Sequence, residues 1–357
     1  MASETTERKA SHITTALRKD VQAHVPTGFD DVFLVHSALP EIDREDVGIT
    51  TELFGHKLAA PVMVESMTGG TPIAAKINAA LGEVVEELQI PMGVGSQRAA
   101  IDDPKLAYTF QAARENAPSA LIFANIGCPQ IVKEDGIDRA KAAVDMIKAD
   151  GLFVHLNALQ ESVQLEGQTR FKGALARIRE LASTLSVPVL VKETGAGISR
   201  ETAVSVERAG VKGINIGGLG GTSWAAVEYH RAKEKKRSPQ ARLGMEFWDW
   251  GIPTAASIVE VARSTRVKVL ASGGVRNGLH VAKAIVLGAH CAGLALPLLK
   301  SVSRSGETAK DDLLAVIEEL RTAMFLTGSR NLDQLHKGPV VITGRTREWL
   351  VARGLMP

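Results

Sequence analysis

From residue 61 onward, short apolar runs alternate with longer stretches of helical periodicity. The runs cover residues 61–66, 90–95, 120–125, 152–156, 187–192, 211–216, 267–272 and 291–295. Most are continuously apolar rather than alternating, as parallel strands covered on both faces require. Between them, residues 72–88, 104–116, 136–149, 171–185, 199–209, 254–264, 278–287 and 311–327 carry the helical pattern. Asp103-Pro104 supplies an N-cap and a first-turn proline, and Asn277 can cap the helix that follows it. Eight strands, each followed by a helix, predict a (β/α)8 TIM barrel over residues 61–357. A doubly wound open sheet is the competitor, but it concentrates its glycines in one dominant turn. Here glycine-rich or polar turns follow nearly every strand: Met67-Thr-Gly-Gly70, Gly95-Ser-Gln-Arg98, Asn125-Ile-Gly127, Glu193-Thr-Gly-Ala-Gly197, Gly217-Gly-Leu-Gly-Gly221 and Ser272-Gly-Gly274. The whole rim is therefore expected to form the site.

Two pieces fall outside the alternation. Residues 1–60 form an N-terminal extension with a possible strand at 31–36. Residues 217–251 interrupt the sixth βα unit as an inserted loop, either a lid or a subunit contact. The basic run Arg231-Ala-Lys-Glu-Lys-Lys-Arg237 within it reads as a solvated helix end, because acidic charge is interleaved.

Composition narrows the function classes. The 42 basic and 40 acidic side chains leave a net charge of +2, so no global field favours nucleic acid or an acidic membrane. An aromatic content of 4% argues against a stacking platform for single strands. Cys128 and Cys291 make no disulfide framework and fit a reducing compartment. No apolar core follows the polar first residues, and no apolar run reaches the roughly 18 residues of a membrane span. A cytoplasmic enzyme of small molecules is the expectation.

The segment Gly151-Leu-Phe-Val-His-Leu-Asn-Ala-Leu-Gln-Glu161 is the richest in chemistry. It starts as an apolar strand and ends in ligand-binding side chains. Alternation puts His155 and Asn157 on one face, with Gln160 and Glu161 in the following loop. Glu161 suits Mg²⁺, which is commonly held by one or two carboxylates plus phosphate and water, and no His/Cys spacing suggests zinc. Lys192 ends the fifth strand behind apolar residues. A buried ammonium needs an anion, so Lys192 is a Schiff-base nucleophile, a counter-charge to an anionic cofactor, or half of a structural ion pair. Ser272-Gly-Gly-Val-Arg276 runs from strand through a glycine turn into a helix, where backbone approaches phosphate. With Ala295 and Leu296 after the last strand, it occupies the usual phosphate grip of a barrel. Arg8, Lys9, His12 and Arg98 are candidates for a polyanion, although an N-terminal Arg-Lys pair taken alone reads as a solvated tail.

Together these motifs resemble the type 2 isopentenyl-diphosphate isomerases, flavin-dependent barrel enzymes. The resemblance spans nearly the whole chain and rests on Arg8-Lys9-x-x-His12, Met67–Gly70, Gly95–Arg98, His155-Leu-Asn-x-x-Gln-Glu161, Val191-Lys-Glu193, Gly220-Gly-Thr-Ser-Trp224 and Ala271–Arg276. Ser11 departs from the acidic residue expected before the histidine. The resemblance implies FMN on the rim, lined by Ser66, Met67, Thr68, Ser96, Asn125, Lys192 and Thr222. Its phosphate would lie on Ser272, Gly273, Gly274, Ala295 and Leu296. It implies Mg²⁺ on Glu161, and a diphosphate held by Arg8, Lys9, His12, Ser96, Gln97, Arg98, His155, Asn157 and Gln160. It also implies NADPH as the reductant of the flavin and a homo-oligomer, tetramer or octamer. Gln160 and Lys192 are the catalytic candidates, yet an amide is no acid or base near neutral pH, so the proton transfers fall to reduced flavin. An FMN-dependent 2-hydroxy-acid oxidase or dehydrogenase is the alternative enzyme, but it wants a His–Arg pair over the flavin, and no histidine stands between Ser272 and Asn277. A degenerate barrel that only binds its ligand is the remaining reading.

Overall fold

The computed structural model describes residues 4–356. Eight parallel strands close into a barrel in chain order: β1 (Val62–Val64), β2 (Met92–Gly93), β3 (Ile122–Gly127), β4 (Gly151–Leu156), β5 (Val189–Glu193), β6 (Gly213–Asn215), β7 (Lys268–Ala271) and β8 (Cys291–Leu294). Each lies inside or beside its predicted run, and the helical stretches follow as expected. Thr71 caps Pro72–Leu88 through Ala74 N, and Asn277 caps Gly278–Val286 through His280 N at 2.8 Å. Asp103 caps a short 3-10 turn before the helix Tyr108–Asn116.

Side-chain alternation along the strands builds the barrel in layers. The lower layer is apolar: Met63, Phe123, Phe153, Leu190, Leu270 and Cys291 pack with Leu121 into one buried cluster. Below it, the antiparallel hairpin Thr51–Leu53 and His56–Leu58 plugs the amino-terminal end. Its turn residues Phe54 and Gly55 have φ of 52° and 85°, the pair of positive values a type I′ turn needs. Phe54 meets Phe123 edge-on at 6.0 Å. Two residues further along the strands, the inward positions become polar: Glu65, Asn125, His155, Lys192, Asn215 and Ser272. Strand register places His155 level with Lys192 and Lys192 level with Asn215. The change from a dry floor to a polar upper layer fixes where ligands can sit.

Parts of both outlying pieces, the first helix and the start of the insertion, border that upper layer. The N-terminal Arg-Lys pair lies on a helix, Glu4–Arg18, rather than in a solvated tail. The strand Val32–Leu34 pairs with Val340–Ile342 near the other end of the chain. The insertion folds as two helices, Trp224–Glu234 and Ser238–Glu246. Arg231 corrects the reading of the basic run. It is 2% exposed and paired with Glu228 and Glu166, while residues 233–237 face solvent. Among the described residues no helix is long and apolar enough to cross a membrane.

Candidate active site

The carboxyl ends of the strands open into a cleft with about 1490 Å³ of empty space, its mouth included. Its lining contains Arg8, Lys9, His12, Ser66, Met67, Thr68, Ser96, Arg98, Asn125, His155, Asn157, Gln160, Glu161, Lys192, Thr222, Ser272, Gly273, Gly274, Ala295 and Leu296. Residues gathered from the first helix, the strand ends and the insertion thus converge on one space. Gln97 is the exception among the expected contacts. It is fully buried, its amide donates to Ala143 O at 2.7 Å, and its oxygen accepts from Asn125 N at 2.9 Å. Both ends of that amide are spent on fastening β3 to its helix layer, so Gln97 supports Asn125 and leaves the ligand to others.

One end of the cleft is cationic. Lys9 Nζ donates to Ser96 O at 3.1 Å, its only hydrogen bond among the described residues. Burial, with Arg8 and Arg98 nearby, pushes Lys9 down to about 7. Burial and Arg98 also lower Arg8, although Glu161 and Glu166 oppose the shift. Half-buried cations crowded together destabilise the empty site, and an anion among them would relieve that cost. His155 stands beside them. Its Nδ1 lies 2.7 Å from Asn125 Oδ1, while Asn125 Nδ2 donates to Val94 O at 3.0 Å. With its amide so oriented, Asn125 requires an N–H on Nδ1 and leaves Nε2 as an acceptor. Burial, then Lys192 and Lys9, hold His155 down to about 3, so the ring is neutral at physiological pH. His12 lines the wall with its Nε2 committed to Glu228 Oε1 at 2.8 Å, packed edge-on against Trp224.

Glu161 and Gln160 sit on a short helix, Ala158–Val163, rather than in an open loop. The Glu161 carboxylate accepts from Gln168 N at 2.6 Å and Asn157 Nδ2 at 3.1 Å. Asn157 Oδ1 beside it is buried without a partner. Among the described residues no cluster of three or more His, Cys, Asp or Glu could hold a metal. A lone carboxylate with a spare amide oxygen leaves most of a coordination shell to water and ligand oxygens, which suits Mg²⁺.

The opposite end is lined by glycine turns. Gly273 and Gly274 have φ of 94° and 76°, and a Cβ on either would strike the backbone of Gly218 or Gly220. The two loops lie backbone against backbone, so these glycines are required before any ligand is considered. Arg276 projects into the cleft from the same turn. It is half-buried, which lowers its pKa, and among the described residues it donates only to neutral oxygens, Val275 O at 3.1 Å and Gln22 Oε1 at 2.8 Å.

Sequence reasoning missed Glu65. Its buried carboxylate lies 3.8 Å from Lys192 Nζ and accepts from Asn215 Nδ2 at 2.7 Å. Its signal was the alternation itself, since Glu65 stands two residues beyond the inward-facing Met63. Lys192 is therefore paired inside the barrel, and its Nζ also donates to Glu193 O at 2.9 Å. Glu193 faces the loop, accepting from Thr194 N and Ala196 N, and burial raises it to about 7.

The (β/α)8 barrel carries a cation-lined cleft, a buried lysine at β5 and a glycine-arginine turn at β7, and its family match makes it a flavin-dependent barrel enzyme. Residues 142–342 match the sequence pattern of the FMN-dependent dehydrogenase family. Solved structures share the fold: a flavocytochrome b2 with sulfite bound (TM-score 0.67, 20% identity, 93% of this chain and 83% of that one) and a mandelate oxidase with (S)-mandelic acid (TM-score 0.63, 16% identity, 95% and 98%). The isopentenyl-diphosphate delta-isomerase of Thermococcus onnurineus is 46% identical over 98% of this chain and 95% of its own length. That of Methanothermobacter thermautotrophicus is 47% identical over 98% and 96%, and that of Pyrococcus abyssi 44% over 99% and 96%. The chain belongs to the isopentenyl-diphosphate delta-isomerase family, in its FMN-dependent, type 2 form.

Proposed function

We propose that this protein interconverts isopentenyl and dimethylallyl diphosphate, using reduced FMN, with Mg²⁺ on the diphosphate and NADPH needed only to reduce the flavin. The observation that carries this reading is the convergence of Arg8, Lys9 and Arg98 with Asn157, Gln160 and Glu161 on one cleft, where Lys9 meets no carboxylate among the described residues and Arg98 reaches Asp102 Oδ2 only at 3.6 Å. Such a cluster is built for a polyanion. Arg8 and Lys9 would take diphosphate oxygens, with Arg98, His12, His155 and Asn157 completing the cradle. Glu161 and Asn157 Oδ1 would hold Mg²⁺ against it.

The residues at the other end fit FMN. Ser66 Oγ is buried without a partner, and Arg276 meets no carboxylate among the described residues. Ser272, Gly273, Gly274, Arg276, Ala295 and Leu296 would hold the phosphate. Ser66, Met67, Thr68, Ser96, Asn125, Lys192 and Thr222 would line the rest. When bound in its reduced state, the flavin supplies both a proton donor and a proton acceptor for an allylic shift. The chain's own part is to bind, orient and keep dry. The helix Glu4–Arg18 and Trp224 wall off the mouth. Asn157 Nδ2 donates to Gln160 Oε1 at 3.2 Å, which aims the Gln160 amide along the cleft without giving it acid or base strength. Lys192 would stabilise negative charge on the ring.

The oxidase reading wants a His–Arg pair over the flavin, and neither histidine of the cleft supplies it: burial, Lys192 and Lys9 hold His155 down to about 3, and His12 Nε2 is engaged by Glu228 Oε1 at 2.8 Å. Assembly into a homo-oligomer belongs to the same proposal. Its outward apolar side chains include the cross-strand pair Phe33 and Val341, and Met245 and Trp250 of the insertion. The test is anaerobic incubation of FMN-loaded protein with NADPH, Mg²⁺ and isopentenyl diphosphate. Formation of dimethylallyl diphosphate is the expected result, and inactivity of protein that retains its flavin would refute the reading.

A further inference from the structure

The ion pair inside the barrel is more elaborate than the burial of one lysine requires. Glu65 enters from β1 and Lys192 from β5, across the barrel interior. The carboxylate is fixed by a relay: Asn215 Nδ2 donates to Glu65 Oε1 at 2.7 Å, Ser272 Oγ donates to Asn215 Oδ1 at 2.5 Å, and Gly217 N donates to Ser272 Oγ at 2.9 Å. The Asn215 amide is used at both ends, so it can only present its N–H to Glu65. Space is reserved as well, because a Cβ at Gly293 on β8 would run into the Glu65 carboxylate. The Lys192 ammonium has three N–H donors. One goes to Glu193 O, while the ammonium lies 3.8 Å from Glu65 and lines the cleft with donors to spare.

We propose that Glu65 is a positioning residue that sets how much of the Lys192 charge reaches the flavin. This rests on the reading that FMN lies beside Lys192. Two opposite charges at this distance in a site that excludes water interact strongly. To a group in the cleft, the pair presents a dipole instead of a full positive charge. The flavin ring is therefore harder to reduce and, once reduced, keeps its proton more firmly than it would beside an unpaired lysine. In an enzyme whose bound flavin must give and take protons, that basicity is the property to control.

Sulfite is a suitable probe. Its lone pair adds to N5 of oxidised flavin, forming an S–N bond and leaving negative charge at the N1–C2 carbonyl edge, so its affinity reads the local positive field. The experiment titrates sulfite against FMN-loaded wild type and Glu65→Gln, following visible absorbance, and measures the flavin midpoint potential of both. Gln keeps the acceptor for Asn215 and removes the charge. The expected result is roughly tenfold or more tighter sulfite binding and a more positive potential. Glu65→Asp, which draws the charge back from Lys192, should shift both readouts in the same direction by less, and it decides the matter if Glu65→Gln fails to hold FMN. In a Lys192→Met background the Glu65→Gln effect should disappear. Unchanged or weaker sulfite affinity in flavin-loaded Glu65→Gln, or an equal effect without Lys192, would overturn the proposal. Wild-type protein that takes up no FMN would instead refute the functional reading on which it rests.

Discussion

Lys9 gives the sharpest pH prediction. Its ammonium is held to about 7 in the empty site, first by burial and then by Arg8 and Arg98. A bound diphosphate supplies the missing counter-charge and returns Lys9 toward its ordinary value of 10.5. Below pH about 7 the lysine is charged in both states and contributes fully to binding. Above it, each bound ligand must recruit a proton. Affinity then falls about tenfold per pH unit, roughly 1.4 kcal/mol each. From pH 7 to 9 that is about 100-fold, or roughly 2.7 kcal/mol. Calorimetric titration of pyrophosphate with Mg²⁺ in two buffers of different ionisation enthalpy measures both the affinity and the proton uptake. At pH 8 to 9 uptake should approach one proton in wild type, and Lys9→Met should abolish that component. Equal pH slopes in wild type and Lys9→Met would refute the reasoning. For folding the sign reverses. A depressed lysine destabilises the ligand-free fold wherever it is charged, so Lys9→Met should raise Tm below pH about 7. The gain should shrink as pH rises and vanish above 10.5, where the side chain is neutral folded or unfolded.

Three further substitutions test separate parts of the site. Glu161→Gln should abolish Mg²⁺-dependent turnover with FMN still bound; loss of the flavin, seen by absorbance, would mean the residue is misassigned. Arg276→Leu should weaken FMN by about tenfold or more yet leave riboflavin, which lacks the phosphate, nearly unaffected; equal losses for both in fluorescence titrations would remove Arg276 from the phosphate grip. Phe123→Ala in the barrel floor should cost about 3–5 kcal/mol of stability, measured by denaturant unfolding, and a change under 1 kcal/mol would show that the lower layer is not the packed core described.

The barrel was legible because both sheet faces are covered, which leaves continuous apolar runs, and because nearly every turn carries glycine or polar side chains. The site was legible where polar side chains end an apolar strand, as at His155, Asn157 and Lys192. What escaped depends on direction rather than composition. Gln97 lies in a polar turn between Ser96 and Arg98, and only the packed structure turns its amide toward Ala143. Glu65 lies within the apolar run 61–66 and draws no attention there, although the two-residue step from Met63 to Glu65 is the same one that carries Leu190 to Lys192. The helix Glu4–Arg18 has little apolar surface of its own, and its register follows from docking on the cleft. Arg231 sits in a basic run that reads as solvated, but its guanidinium turns inward to Glu228 and Glu166.

The proposed reaction is a proton shift with no net redox change. The most direct test follows isopentenyl diphosphate in deuterated buffer by NMR, with FMN reduced once and oxygen excluded. The proposed function predicts deuterium-containing dimethylallyl diphosphate formed over many turnovers, with no further reductant consumed. Reductant consumed in proportion to product, or a flavin-loaded enzyme that leaves the substrate unchanged, would contradict it.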